Sequence, residues 1–329
     1  MVLAMNCKIT FPPTERHKET FVLKKVISVN IESSWKYLTD KATIELPRKS
    51  IPLFAENNRT NYYSHKEYIK QGDPIKIELG YNGNLEQEFV GYITQIMDGI
   101  PVIMKLEDEM YQLKKQAVNI ALSNTTLDKL LKKILPNYQV DALEIELGSV
   151  RFPKTTVAKV LEYLKDEYNL YSYMDGKKLV CGKIYEDNFN DKTVKLHLEK
   201  NVVNNDLNFK KKEDVSIRIN AISTLSNGDK IEVFVGDKTG EEKQLTYYGI
   251  ELKVELEKLA NKDLRKYKVD KFKGSINCFG VPRIEHGIKV DLKSSLYPNR
   301  NGTYYVDETK ISYSESGFKL LFKSTYIPC

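Results

Sequence analysis

The densest group of ionisable side chains in the sequence is Glu107-Asp108-Glu109. A pair of carboxylates is what glycoside hydrolysis needs, one as general acid and one as base or nucleophile. On a strand, Glu107 and Glu109 share one face. The same three residues also suit a corner where a strand gives way to a helix near Met110, because carboxylates stabilise a helix N-terminus. The corner is the preferred reading. His17, His65, His197 and His286 stand alone in sequence. Cys7, Cys181, Cys278 and Cys329 form no CxxC pair, and no Cys/His spacing suits a metal ligand set. Reduced, mostly buried thiols are expected, with no metal and no cofactor. Walker A, GxGxxG, GxSxG and HExxH motifs are all absent.

A second chemistry is base stacking by aromatic residues set among lysines. Tyr247-Tyr248 and Tyr304-Tyr305 are the candidates. Tyrosine serves protein–protein interfaces equally well, since it joins apolar area to a polar tip. The interface reading is favoured. Net charge is +6, from 51 basic and 45 acidic residues that are interspersed. The one clear run, Lys210-Lys-Lys212, is followed at once by Glu213-Asp214. That balance permits nucleic-acid contact without arguing for it.

At 329 residues, with 21 Tyr and 12 Phe, the chain has ample apolar area for a folded core of two or three domains. No apolar stretch approaches the ~20 residues needed to cross a bilayer as a helix. The first residues carry no basic-then-apolar leader pattern. The expectation is a cytosol-made protein that is not held in a membrane.

Three zones differ in hydrophobic period. Residues 1–118 read as β, with β-branched runs at 21–31 and 42–46. Ile75, Ile77 and Leu79 then alternate toward Asn82-Gly83, a pair suited to a type I′ hairpin turn. A return strand at 86–96 and a further strand at 102–106 follow. The polar stretch 52–71 reads as an excursion. Residues 119–191 carry helical stripes: Leu127, Leu130, Leu131 and Ile134, then Val157, Val160, Leu161, Leu164 and Tyr168. Thr125 with Asp128 reads as the first helix's cap, and Pro153 as the entry to the second. A strand is expected at 143–150 between them, and two more at 171–174 and 179–184. Residues 192–329 return to β. Asn227-Gly228 turns one strand back into another, and one helix interrupts at Leu252, Leu256, Leu259, Ala260 and Leu264. The fold class expected is α+β, mainly β: two related β-barrel domains, 1–118 and 192–329, bracketing a small α+β domain at 119–191.

The relation between the outer domains rests on an echo. Gly72-x-x-Ile75-Lys76-Ile77-Glu78-Leu79 resembles Gly287-Ile-Lys289-Val290-Asp291-Leu292. Each precedes an Asn-Gly pair and then an aromatic β run ending in Ile. From glycine to that isoleucine the separation is 96 − 72 = 24 in one copy and 311 − 287 = 24 in the other.

Longer stretches carry a family resemblance. Gly72-Asp73-Pro74-Ile75-x-Ile77-x-Leu79-Gly80-Tyr81, then Phe89-x-Gly91-Tyr92-Ile93, then Glu107-Asp108-x-Met110, resemble the late-control-type hub proteins of phage baseplates. The C-terminal residues Phe279-Gly280-x-Pro282, His286-Gly287, Tyr297-Pro298 and Gly302-x-Tyr304-Tyr305 agree in order. The amino-terminal part of type VI secretion spike proteins is similar. The resemblance covers most of the chain from about residue 20. It implies a non-enzymatic structural protein that works as a homotrimer. Three chains of two barrels each would join a sixfold tail tube to a threefold spike. Its partners would be itself, the tail tube protein, a separate spike protein and a tape measure protein, with DNA only as transiting cargo. The protein would end up in a phage virion or phage-like particle. The spike would be a separate chain, because neither an OB domain nor a repetitive β-helix follows Tyr326. A hub-associated cell-wall hydrolase and a nucleic-acid-binding barrel remain the alternatives.

Overall fold

The structure is a computed structural model. It describes residues 4–16, 18–47, 54–55, 69–182, 192–225, 229–268 and 271–326. Most of the 52–71 excursion, His17, His65, Asn227-Gly228 and Cys329 lie outside the described residues.

The first zone forms β1 (Met5–Phe11), β2 (Phe21–Leu23), β3 (Ser28–Ser34), β4 (Lys41–Leu46), β5 (Phe54–Ala55), β6 (Pro74–Tyr81), β7 (Asn84–Met97) and β8 (Val102–Glu107). Inward residues alternate along the strands: Cys7, Ile9 and Phe11 on β1, and Ile75, Ile77 and Leu79 on β6, are buried. Asn82-Gly83 makes the tight β6–β7 turn, with φ of 53° and 85°. Both angles are positive, as a type I′ turn demands.

The middle zone folds as α1 (Met110–Leu113), β9 (Ala117–Thr126), α2 (Leu127–Ile134), β10 (Gln139–Ala142), β11 (Glu146–Thr156), α3 (Val157–Tyr168), β12 (Tyr171–Asp175) and β13 (Lys178–Gly182). The two helical stripes close an apolar cluster of their own with the strands beside them. Three local expectations shift. Thr126 rather than Thr125 caps α2, accepting from the Lys129 amide. Pro153 lies inside β11, and Thr156 caps α3. The strand expected at 143–150 starts at Glu146 and runs on to Thr156, because it pairs along most of β9. Long-range pairing outweighed the local turn signal of proline.

The last zone forms β14 (Thr193–His197), α4 (Leu198–Asn201), β15 (Val202–Asn205), β16 (Asn208–Lys210), β17 (Ile217–Thr224), β18 (Lys230–Gly236), β19 (Glu241–Tyr248), α5 (Lys253–Tyr267), β20 (Lys271–Phe279), β21 (Lys289–Lys293), β22 (Gly302–Ser314) and β23 (Gly317–Tyr326). Strands β17, β18 and β19 pair only among themselves, and α5 packs on them through Leu256 and Ala260. This small unit is inserted between β16 and β20.

The middle-zone strands form two small sheets, β10-β13-β12 and β11-β9, and the other strands of the first and last zones belong to one 15-stranded sheet. Within it the outer zones repeat one plan. The first stacks β1-β6-β7-β8-β4-β3, and the second stacks β14-β21-β22-β23-β20-β15. When the six stacked strands of each zone are counted in chain order, with β2, β5 and β16–β19 left out, both stacks read first, fourth, fifth, sixth, third, second. One strand departs: β1 runs antiparallel to β6, whereas β14 runs parallel to β21. Both modules share a single apolar cluster, from Ile9 and Ile44 to Val290 and Phe322. The fold is α+β and mainly β. Among the described residues no helix is long and apolar enough to cross a membrane.

Candidate functional site

The two modules are welded edge to edge. β22 is longer than its partner β21, which covers only Gly302 to Tyr305. Beyond that point residues 308–314 pair antiparallel with β3. Ile311 faces Ile31 there, 6% and 1% exposed. On the outer surface Lys310 Nζ meets Glu32 at 2.8 Å. The Ser34 hydroxyl donates to the Asp307 carbonyl at 3.0 Å in a buried setting.

Residues from separate motifs meet at a second tie. The Tyr81 hydroxyl donates to the Phe318 carbonyl at 2.8 Å, and the two rings lie 5.5 Å apart. The Phe318 ring occupies the space a side chain at Gly280 would take, 2.3 Å from a Cβ placed there. Only glycine fits that approach. Gly80 stands beside this tie, opposite Leu85 and Asn6.

Gly72 and Gly287 open the fourth strand of each module. Both have positive φ, +92° and +80°. Asp73 follows the first, 6% exposed, accepting from the Lys70 amide at 2.7 Å and paired with Arg16. Phe89 faces Ile77, Gly91 faces Ile75, and Tyr92 faces both Pro74 and Glu107. In the second module Gly302 faces Leu292 and Tyr304 faces Val290. The Tyr304 hydroxyl donates to the Arg300 carbonyl at 2.8 Å. Tyr297 lies on the surface with the Arg300 guanidinium 4.9 Å over its ring, and Pro298 begins the turn Pro298–Arg300. Pro282 sits in the connection from β20 to β21.

The carboxylate run does not present one face. Glu107 ends β8 while Glu109 already has helical backbone angles, so the strand alternation that would align them is broken. Glu107 pairs with Lys114 at 2.8 Å. Asp108 turns inward and accepts from the Met110 amide at 3.1 Å. Glu109 accepts from the Tyr138 and Tyr92 hydroxyls at 2.8 and 3.1 Å. Each acid is engaged with a neighbour at the corner.

A cavity of about 500 Å³ lies where both modules and the middle unit meet. Glu88, Asp40, Asp108, Arg283, His286 and Tyr173 are among its walls. Burial pushes the Glu88 carboxyl up to about 7, against the pull of the Arg283 guanidinium 3.5 Å away. Arg283 also holds Glu285 at 2.6 Å. Burial, then the charge of Asp40, raises the Asp108 carboxyl well above the ordinary range. His286 Nε2 lies 3.6 Å from Asp40, and its ring meets Tyr173 edge-on at 4.8 Å. The cluster thus ties the start of the fourth strand in one module to the third strand in the other, and both to β12. Among the described residues no group of three His, Cys, Asp or Glu is placed to hold a metal. Burial pushes the thiols of Cys7, Cys181 and Cys278 up to about 12, which leaves them un-ionised at neutral pH.

Sequence reasoning named His286, Asp108 and Tyr81 but not their partners Asp40, Glu88, Arg283 and Phe318 as a set. It also missed Lys310–Glu32 and Ser34–Asp307. These pairs join distant parts of the chain, and no local spacing signals them.

No protein-family model matches the sequence, and no curated protein matches it significantly. Solved structures do match in fold. The tail protein from Neisseria meningitidis MC58 superposes with a TM-score of 0.62 at 12% identity, over 98% of this chain and 96% of that one. The 43 kDa tail protein of prophage MuSo2 from Shewanella oneidensis gives 0.62 at 14% identity, over 98% of each chain. An E. coli component of the type VI secretion system, itself structurally similar to phage T4 tail proteins, gives 0.57 at 9% identity, over 98% and 79%. The chain has the fold shared by these two tail proteins and by this secretion-system component.

Proposed function

We propose that the protein is the structural hub of a phage tail or of a related contractile injection particle. Three copies form a ring of six related modules that joins a sixfold tail tube to a threefold spike. The observation that carries this reading is the repeated strand plan, with both modules running the same way in one sheet. Two like modules of the same polarity can alternate around an axis, and a head-to-tail interface closes into a ring when its rotation allows. The tail proteins and secretion component of the same fold support it. The partners are a second and third copy, the tube protein, a separate spike protein and a tape measure protein. DNA passes through the lumen only as cargo. The protein is made in the bacterial cytoplasm and ends in a virion or phage-like particle, and it catalyses nothing.

Co-expression with the tube and spike proteins from the same particle tests the reading. Recovery of a complex holding three copies of this chain is the expected result. Failure to bind either partner overturns it.

A further inference from the structure

The welded joint inside the chain has a counterpart at which no strand pairing joins the two edges among the described residues. Among the described residues, β7 pairs with β6 only up to Tyr92, and residues 95–97 then pair with β8 alone. β16 pairs with β20 alone. The repeated plan places these two edges where β22 and β3 stand in the joint.

The register follows from the pairings. Ile93 and Val306 occupy equal positions, since each exchanges hydrogen bonds with the glycine corner of its module. Both strands then shift register at once, between 93 and 95 and between 306 and 308. Gln95, Ile96 and Met97 therefore match Glu308, Thr309 and Lys310. On the other side, Leu106 and Ser324 match, then Ala42 and Gly274 across from them. Ile31 faces Ala42, and Leu207 falls opposite Gly274 between the pairs Asn205–Ile276 and Asn208–Lys273. Asn208 and Phe209 thus match Glu32 and Ser33.

Burial agrees with this register. Ile31 and Leu207 are both buried, 1% and 6% exposed. Phe209 lies two residues beyond Leu207, on the same inward face by strand alternation, yet it is 51% exposed. In the joint the matching row is covered: Thr309, across from Ser33, is 4% exposed.

Resting on the ring reading above, we propose that β16 of one copy adds antiparallel to residues 95–97 of the next copy. Phe209 packs across from Ile96, and Asn208 stands across from Met97. The contact between chains then repeats the joint within the chain, and the occupant of both open edges is a second copy of this protein. A head-to-tail contact of this kind puts different edges on its two sides.

Cross-linking tests it in the full-length chain. Met97→Cys and Asn208→Cys are made singly and together, with Cys329→Ser throughout. Directly opposed Cα atoms in an antiparallel pair lie about 4.5–5.5 Å apart, within disulfide reach. On mixing the singles and oxidising, the expected result is at least about tenfold more linked dimer than either single gives alone, the yield shift of a contact worth about 1.4 kcal/mol. The double variant is expected to give a linked trimer. Phe209→Asp added to the pair is expected to lower the yield about tenfold with an unchanged circular dichroism spectrum. No excess of dimer in the mixture overturns the proposal, whether or not trimers form. Trimers by mass without the link leave the ring standing and move its interface elsewhere. A linked trimer that binds neither tube nor spike overturns the hub reading and leaves this edge standing.

Discussion

Gly72 and Gly287 make the same corner in two parts of the chain. The Gly72 amide donates to the Ile93 carbonyl at 2.7 Å, and Ile93 donates back to Asp73 at 3.0 Å. The Gly287 amide donates to the Val306 carbonyl at 2.9 Å, and Val306 donates back to Ile288 at 3.0 Å. The corner starts the fourth strand of each module and anchors it to the fifth. It is the most local trace of the repeated strand plan.

Gly72→Ala and Gly287→Ala are expected to destabilise by similar amounts, about 1–2 kcal/mol, the cost of holding an L-residue at positive φ. A Cβ at either site would meet tyrosine side chains no nearer than 3.7 Å at Gly72 and 3.5 Å at Gly287, so the loss is conformational rather than steric. Urea unfolding midpoints check this. A cost at one site only would break the equivalence of the corners.

Gly280→Ala acts through crowding instead. Its Cβ would lie 2.3 Å from the Phe318 ring, and overpacking of that kind costs about 1–3 kcal/mol. Tyr81→Phe keeps the ring contact and removes one hydrogen bond, a loss of about 1 kcal/mol. The two variants share Phe318, so a double-mutant cycle is expected to show coupling.

At the joint, packing outweighs charge. Ile31→Ala removes a fully buried side chain and is expected to cost about 2–5 kcal/mol. Lys310→Ala breaks an exposed ion pair and is expected to cost less than about 1 kcal/mol. Thermal unfolding distinguishes them, and a larger effect from Lys310 would overturn the assignment.

Glu88 makes stability depend on pH in an uncommon direction. Its carboxyl titrates at about 7 in the folded chain against an ordinary 4.5, so the folded state holds the proton more tightly. The stabilisation is complete below about 4.5 and is lost as pH rises through 7, an amount of at most roughly 3 kcal/mol. Denaturant titrations at pH 5 and 8 are expected to show this loss in the wild type and a smaller one in Glu88→Gln. An equal loss in both would remove Glu88 as its source.

Glu107→Gln tests the carboxylate corner. Its loss is expected to cost less than about 1 kcal/mol, since the Lys114 pair is partly exposed. Peptidoglycan release is expected from neither wild type nor variant. Release by the wild type that vanishes in Glu107→Gln would restore the hydrolase reading.

The sequence made the local elements plain. Asn82-Gly83 announced its hairpin because its backbone needs residues that tolerate positive φ. The leucine stripe from Leu127 announced α2 because one face of a helix must be buried. What stayed hidden depends on residues far apart. Nothing near Ile311 says that its strand outruns β21 and meets Ile31. Nothing near Val215 says that β17 leaves the large sheet for a small one with α5. The polar cluster was partly visible as Asp108 and His286, but their role depends on Asp40, Glu88 and Arg283, which only the folded chain brings near.

The three buried cysteines fall one to each main unit: Cys7 on β1, Cys181 on β13 and Cys278 on β20. A thiol that is covered and un-ionised reacts with a solution reagent only when its surroundings come apart. The rate at which each is alkylated therefore times a local opening, Cys181 reporting on the middle unit, and Cys7 and Cys278 on the two ends of the core that the outer modules share.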